Sequence, residues 1–183
     1  SIHNFSFMNS YFESISGFSC TGFSIIKNLD NINQPLLIWR SSSQWLGGLF
    51  YLVTIVSVLG NRKIKINPSY LINQDFDTSN FYSDFFGNCI KIIVPYLVLS
   101  SITFFLIMFS GVRFFDGFNL TLSIISAGGF LTQNNLVDII KNDLQILILS
   151  VTLIFPILNI YFFPKIIINK FQIREFFEDF YLI

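Results

Sequence analysis

The sequence predicts an all-α integral membrane protein, and three observations predict it. Of 183 residues, 52% are hydrophobic and only 12% are charged, about half the charge of a typical soluble domain. Three stretches are long and apolar enough to cross a bilayer, which takes about 20 residues. Two shorter stretches, each running into a Gly-containing loop, have the length of re-entrant segments and match each other at a fixed spacing.

Composition also excludes functions. Eleven Lys and Arg balance eleven Asp and Glu, so no net field draws the chain to nucleic acid. A single His (His3) and two distant Cys (Cys20, Cys89) rule out a zinc cluster and a disulfide framework. No resident cofactor is expected.

In chain order, residues 7–18 form the first short apolar stretch, dotted with Ser, Asn and Gly. It leads into Ser19-Cys20-Thr21-Gly22-Phe23-Ser24. Residues 36–59 form the first span, polar from Arg40 to Gln44 and strongly apolar after it. Residues 60–88 are rich in Asn, Asp and Ser and read as a cytoplasmic linker. Residues 90–109 form the second span, with Lys91 near its start and Pro95 inside; a membrane helix tolerates such a proline when neighbours satisfy the freed carbonyl. Residues 114–125 form the second short stretch, leading into Ser126-Ala127-Gly128-Gly129-Phe130-Leu131. Residues 144–163 form the third span, uncharged, with Pro156 inside, and a charged, Phe-rich tail follows.

An offset of 107 residues places Ser19 on Ser126, Gly22 on Gly129, Phe23 on Phe130 and Leu37 on Leu144. One shared Gly-Phe pair would mean little. The same order of elements at one offset points to an internal duplication. The chain therefore divides into residues 1–59 (short helix, loop and span of one repeat), the linker 60–88, a complete repeat over 89–170, and a cytoplasmic tail over 171–183.

Basic residues set the topology. Arg62, Lys63, Lys65, Lys91, Lys165, Lys170 and Arg174 flank one side of the spans, against Lys27, Arg113 and Lys141 on the other. The richer side is cytoplasmic, so both loops open to the outside.

Lipid cannot satisfy the backbone of a re-entrant loop, which persists only if protein buries it or it lines a wet cavity. A short helix followed by an extended Gly-containing strand also presents carbonyls to a dehydrated cation. Glycine is expected at Gly22 and Gly129 because the strand needs unusual dihedrals and because chains approach an axis closely. A lone loop of this kind reads as an interfacial helix with an ordinary Gly turn. Two matching loops on one face favour a cation selectivity filter.

The run Phe12-Glu13-Ser14-Ile15-Ser16-Gly17-Phe18-Ser19-Cys20-Thr21-Gly22, then Trp39-Arg40 and Gln44-Trp45-Leu46-Gly47-Gly48, resembles the first filter and following helix of the Trk/Ktr/HKT potassium transporters. Ser123-Ile124-Ile125-Ser126-Ala127-Gly128-Gly129-Phe130, with Thr132 after it, resembles that family's second filter. The resemblance implies helix–pore loop–helix repeats of the potassium-channel type, four to a subunit. Three spanning helices and two re-entrant pore loops fall in this chain, which reads as an internal piece of a longer protein. It further implies potassium on backbone carbonyls of Cys20, Thr21, Gly22, Ala127, Gly128 and Gly129. The implied setting is the inner membrane of a bacterium, as a homodimer with a cytosolic nucleotide-binding regulatory subunit. Cys20 departs from the family's usual residue, which a carbonyl ligand tolerates.

Two other functions stay open at this stage: a truncated relative that conducts nothing, and a membrane enzyme. The enzyme needs ionisable groups at depth, and the spans offer only Arg40 and Lys91, both near ends. Arg40 reads as a snorkelling residue that sets orientation, with a role beside the pore entrance as the lesser alternative. Glu13 reads equally as a source of negative field at the outer mouth or as an ordinary interfacial carboxylate. Gly47 and Gly48 are expected to allow close helix packing.

Overall fold

The computed structural model describes residues 6–59 and 78–157, and among them the regular structure is helical, with no strand. The tail 171–183, most of the linker, and Arg62, Lys63, Lys65, Lys165, Lys170 and Arg174 lie outside the described residues. Helix α1 spans Phe7–Phe18 and α2 spans Gln34–Leu59; α3 spans Thr78–Phe109 and α4 spans Phe114–Ile125. A single turn, α5 (Leu136–Ile139), precedes α6 (Asp143–Thr152).

Local chemistry sets these boundaries. Ser6 caps α1 by accepting the amide of Asn9 at 3.3 Å. Helix α3 runs unbroken through Pro95 and begins at Thr78, well ahead of its apolar part. It stops where Gly111 takes a left-handed conformation (φ +81°) and returns its amide to the Met108 carbonyl at 3.0 Å. Asn142 and Gln145 form a reciprocal capping box at the start of α6.

Of the expected third span, residues 144–157 are described and 158–163 lie outside the described residues. Helix α6 ends at Thr152, the next bonds tighten to a three-residue spacing, Ile154 to Val151 and Ile157 to Ile154, and helical structure resumes over 155–157. Pro156 supplies the reason: it has no amide to offer the Thr152 carbonyl, and its ring crowds that carbonyl. Among the described residues, one helical segment, Ile92–Phe109, is long and apolar enough to cross a membrane. Helix α2 has the length, at 26 residues, and is apolar after Gln44.

Helix α2 is the centre of the packing, touching α1, α3 and α4, while α3 also packs on α4 and α6. One apolar cluster joins Leu52, Ile92, Tyr96 and Ile125. Another joins Ile107, Val112, Leu120, Ile124, Ile139 and Ile140. The Tyr96 hydroxyl donates to the Trp45 carbonyl at 3.0 Å, and the Trp45 indole donates to Ser100 Oγ at 3.0 Å. Around this centre the usual order is inverted. Glu13, Arg40, Ser43, Gln44, Asn119 and Thr103 are buried, whereas Phe7, Phe50, Phe105, Phe109 and Leu147 face outward. A large apolar exterior of this kind marks contact with lipid or protein rather than water.

Candidate functional site

The loops after α1 and α4 repeat each other in backbone detail. The two helices have the same length and sit at the 107-residue offset. Each ends on a serine, Ser19 (φ −80°, ψ −1°) and Ser126 (φ −81°, ψ 0°). Each serine hydroxyl turns back onto the carbonyl four residues earlier, Ile15 at 2.7 Å and Leu122 at 2.9 Å. The next amide closes a tight turn, Cys20 to Gly17 at 3.0 Å and Ala127 to Ile124 at 2.9 Å. Then Cys20 and Ala127 both adopt a left-handed conformation, φ +56° and +53°. A residue with a Cβ disfavours that region by about 1–2 kcal/mol, so the same strain is held at equivalent places.

The loops meet at their glycines. A Cβ on Gly22 would stand 2.7 Å from the Gly129 nitrogen and 2.8 Å from its Cα. Gly22 is also left-handed, at φ +71°. Gly129 differs from expectation. Its φ is not positive, and a Cβ there would meet the Gly22 Cα at an ordinary 3.7 Å. The unusual dihedrals expected of both glycines thus belong to Gly22 and to the non-glycines Cys20 and Ala127.

One stripe of α2 holds both loops. Arg40, Ser43, Gln44, Gly47 and Gly48 recur at helical spacing and are all buried. Gly47 lies against the Phe18 carbonyl at the end of α1, and a Cβ on Gly48 would stand 2.9 Å from the Ser126 Cα. The expectation of close packing at this pair agrees with those contacts. Gln44 accepts the Phe130 amide on Oε1 at 3.3 Å, its carbonyl accepts the Cys20 thiol at 3.2 Å, and its side chain fills the space a Cβ on Gly128 would need. A cavity of 260 Å³ opens where Cys20, Ala127, Gly47 and Gly48 come together.

Arg40 and Glu13 correct the sequence reading. Arg40 is only 2% exposed and does not snorkel. Its Nε donates to Glu13 Oε2 at 3.1 Å, and Nη2 donates to Ser24 Oγ at 3.0 Å. Glu13 is buried too, and its other oxygen accepts from Ser24 Oγ at 2.7 Å and the Ile25 amide at 2.8 Å. It is a paired internal carboxylate, not a free charge at a mouth. Thr21 turns its hydroxyl toward Ser16 and Ser19, each at 3.2 Å.

Further ties join the segments beyond the loops. Asp116 accepts Thr132 Oγ1 at 2.6 Å and pairs with Arg113 at 2.8 Å. Arg113 lies at the exposed start of α4, and this carboxylate raises its pKa above the ordinary value. Asn134 accepts the Leu29 amide and donates to Asp30, both at 2.9 Å. The sequence assigns no contact to Asp116 or Asn134, and it marks Gln44 only as part of a motif. For Gln44 a signal existed, because polar and small residues at 40, 43, 44, 47 and 48 share one helical face.

Comparison with known proteins finds relatives of this chain. An uncharacterized cation transporter of Methanocaldococcus jannaschii is 31% identical over 135 residues, covering 73% of this chain and 28% of that protein. The Trk system potassium uptake protein TrkH of Salmonella typhimurium is 26% identical over 135 residues, 72% of this chain and 28% of its own. TrkG of Escherichia coli is 25% identical over 144 residues, 77% of this chain and 30% of its own. The chain belongs to the Trk family. It spans under a third of the length of these relatives. No family model matches the chain, and no solved structure does. These relatives are named as a cation transporter and as potassium uptake proteins, and a membrane location accords with the apolar exterior.

Proposed function

We propose that this chain supplies two of the selectivity-filter loops of a Trk-type potassium uptake protein. The observation that carries the reading is the meeting of the two offset-matched loops at Gly22 and Gly129. A filter needs backbone carbonyls brought around one axis at close quarters. Two strands whose glycines touch, each entered through the same left-handed turn, supply a part of such a ring. The ligands are the carbonyls of Cys20, Thr21, Gly22, Ala127, Gly128 and Gly129, with potassium as cargo. The remaining filter loops come from other repeats of the same polypeptide.

In this reading α2, α3 and the segment beginning at α6 span the membrane, and α1 and α4 are pore helices entering from outside. The linker 60–88 faces the cytoplasm of a bacterial cell, where a nucleotide-binding regulatory subunit binds, and the complete protein pairs as a homodimer. The test is uptake by the full-length protein in cells lacking their own potassium transport. Gly22→Ala is expected to lower potassium preference over sodium at least tenfold at matched membrane abundance. Unchanged preference would remove the filter assignment.

A further inference from the structure

Arg40 touches both loops from a helix that belongs to the first of them. Its Nε and Nη2 bind Glu13 on α1 and Ser24 at the end of the first loop. Its guanidinium carbon stands 4.0 Å from the ring centroid of Phe130, the residue after Gly129. Phe130 is 2% exposed, and its amide is held one helical turn further along α2 by Gln44. Arg40 therefore reaches the filter contact through two steps, Phe130 to Gly129 and Gly129 to Gly22.

The internal duplication shows that this clamp is built once. At the 107-residue offset Arg40 corresponds to Leu147, Glu13 to Leu120 and Gln44 to Val151, none of which can repeat the contacts. Phe23, the counterpart of Phe130, is 71% exposed. A buried ion pair is weak evidence for stability, since desolvation offsets most of its attraction. This pair does have a geometric consequence. Held by Glu13 and Ser24, the planar guanidinium has one orientation left, and a cation over an aromatic face resists lateral movement of the ring.

We propose that Arg40 is a positioning residue for ion selectivity, fixing the second filter loop against the first through the face of Phe130. The proposal rests on the filter reading above. Arg40 itself touches no ion, so its replacement alters the spacing of carbonyls rather than removing one. Lysine retains the charge opposite Glu13 but loses the planar face and the second donor fixed at Ser24. Phe130→Leu keeps an apolar side chain but loses the ring.

The experiment measures rubidium uptake and its inhibition by sodium in cells making the full-length protein, with membrane abundance quantified for each variant. Arg40→Lys and Phe130→Leu are each expected to reduce preference for rubidium over sodium by about three- to tenfold. The double variant should be no worse than the poorer single variant, because both act on one contact. Gly22→Ala is the control. If it shifts selectivity while Arg40→Lys and Phe130→Leu do not, the filter stands and the clamp is overturned. If none of the three shifts it, both readings fall. Lower abundance with wild-type selectivity in the surviving protein also overturns the clamp, since that is what a purely structural residue would give. If Arg40→Lys does not accumulate, Phe130→Leu alone decides by the same ratio.

Discussion

Gly22 and Gly129 lie backbone to backbone, and the relationship is not symmetric. A side chain on Gly22 would enter the Gly129 main chain at 2.7 Å, whereas one on Gly129 would meet Gly22 at 3.7 Å. Only Gly22 carries a positive φ, +71°. Gly22→Ala therefore adds a conformational penalty of about 1–2 kcal/mol to a backbone clash. Gly129→Ala adds neither. Comparing potassium and sodium uptake at matched expression, we expect Gly22→Ala to lose about tenfold or more in selectivity and Gly129→Ala less than about threefold. Equal effects would mean that the loops do not approach in this way. Thr21→Ser should stay near wild type, because its carbonyl and its hydroxyl bonds to Ser16 and Ser19 both persist.

Strain at Ala127 gives a second expectation. Its φ of +53° is unfavourable for alanine and worse for a β-branched residue. Ala127→Gly removes the strain but frees the unfolded chain, and the two effects nearly cancel at about 1 kcal/mol each. Ala127→Val should lower the melting temperature in detergent clearly, while Ala127→Gly stays within a few degrees of wild type. Equal stability of the two variants would place the strain elsewhere.

Much of this arrangement is legible in the sequence, for identifiable reasons. Helices α1 and α4 stand out because each is a short apolar run ending in Ser and Gly, and the repeated order of elements reveals the offset. The Gly47-Gly48 notch is legible because adjacent glycines in an apolar helix leave room for a neighbour. The left-handed turns are not, since glycine is the usual mark of such a conformation and here Cys and Ala adopt it. Arg40 was misread because its partner Glu13 is 27 residues away and the ring beneath it belongs to the other repeat. A lone arginine near the end of an apolar run looks like a snorkelling residue until the fold supplies a carboxylate. The turn after Thr152 is not legible, because Pro95 and Pro156 look alike in sequence, yet one lies in an unbroken helix and the other follows a tight turn.

Topology can be read chemically. In a background with Cys20 and Cys89 replaced by serine, single cysteines placed in residues 60–77 should react with an impermeant thiol reagent only from the cytoplasm. Cysteines at Asn28 or Asn134 should react only from outside, since Asn134 is tied to Leu29 and Asp30 on the same face. Labelling of both regions from one side would sink the proposed arrangement, because one full span separates them.

The ion pair between Glu13 and Arg40 gives an expectation about stability rather than transport. Both side chains are nearly inaccessible, at 9% and 2%, and stand 3.1 Å apart. Replacing Glu13 alone leaves a guanidinium charge buried without its counterion. Breaking a buried pair in this way costs about 3–5 kcal/mol, whereas removing both charges together is often close to neutral. Glu13→Gln should therefore destabilise the detergent-solubilised protein more than the double change Glu13→Gln with Arg40→Met, although the double change deletes more hydrogen bonds. Gln retains an oxygen for Ser24 and the Ile25 amide, so the local shape of the first loop is preserved in both variants. The measurement is thermal loss of monodisperse protein for wild type, both single variants and the double. A double variant no more stable than Glu13→Gln would show that hydrogen bonding from Arg40, rather than the balance of charge, holds α1 to α2.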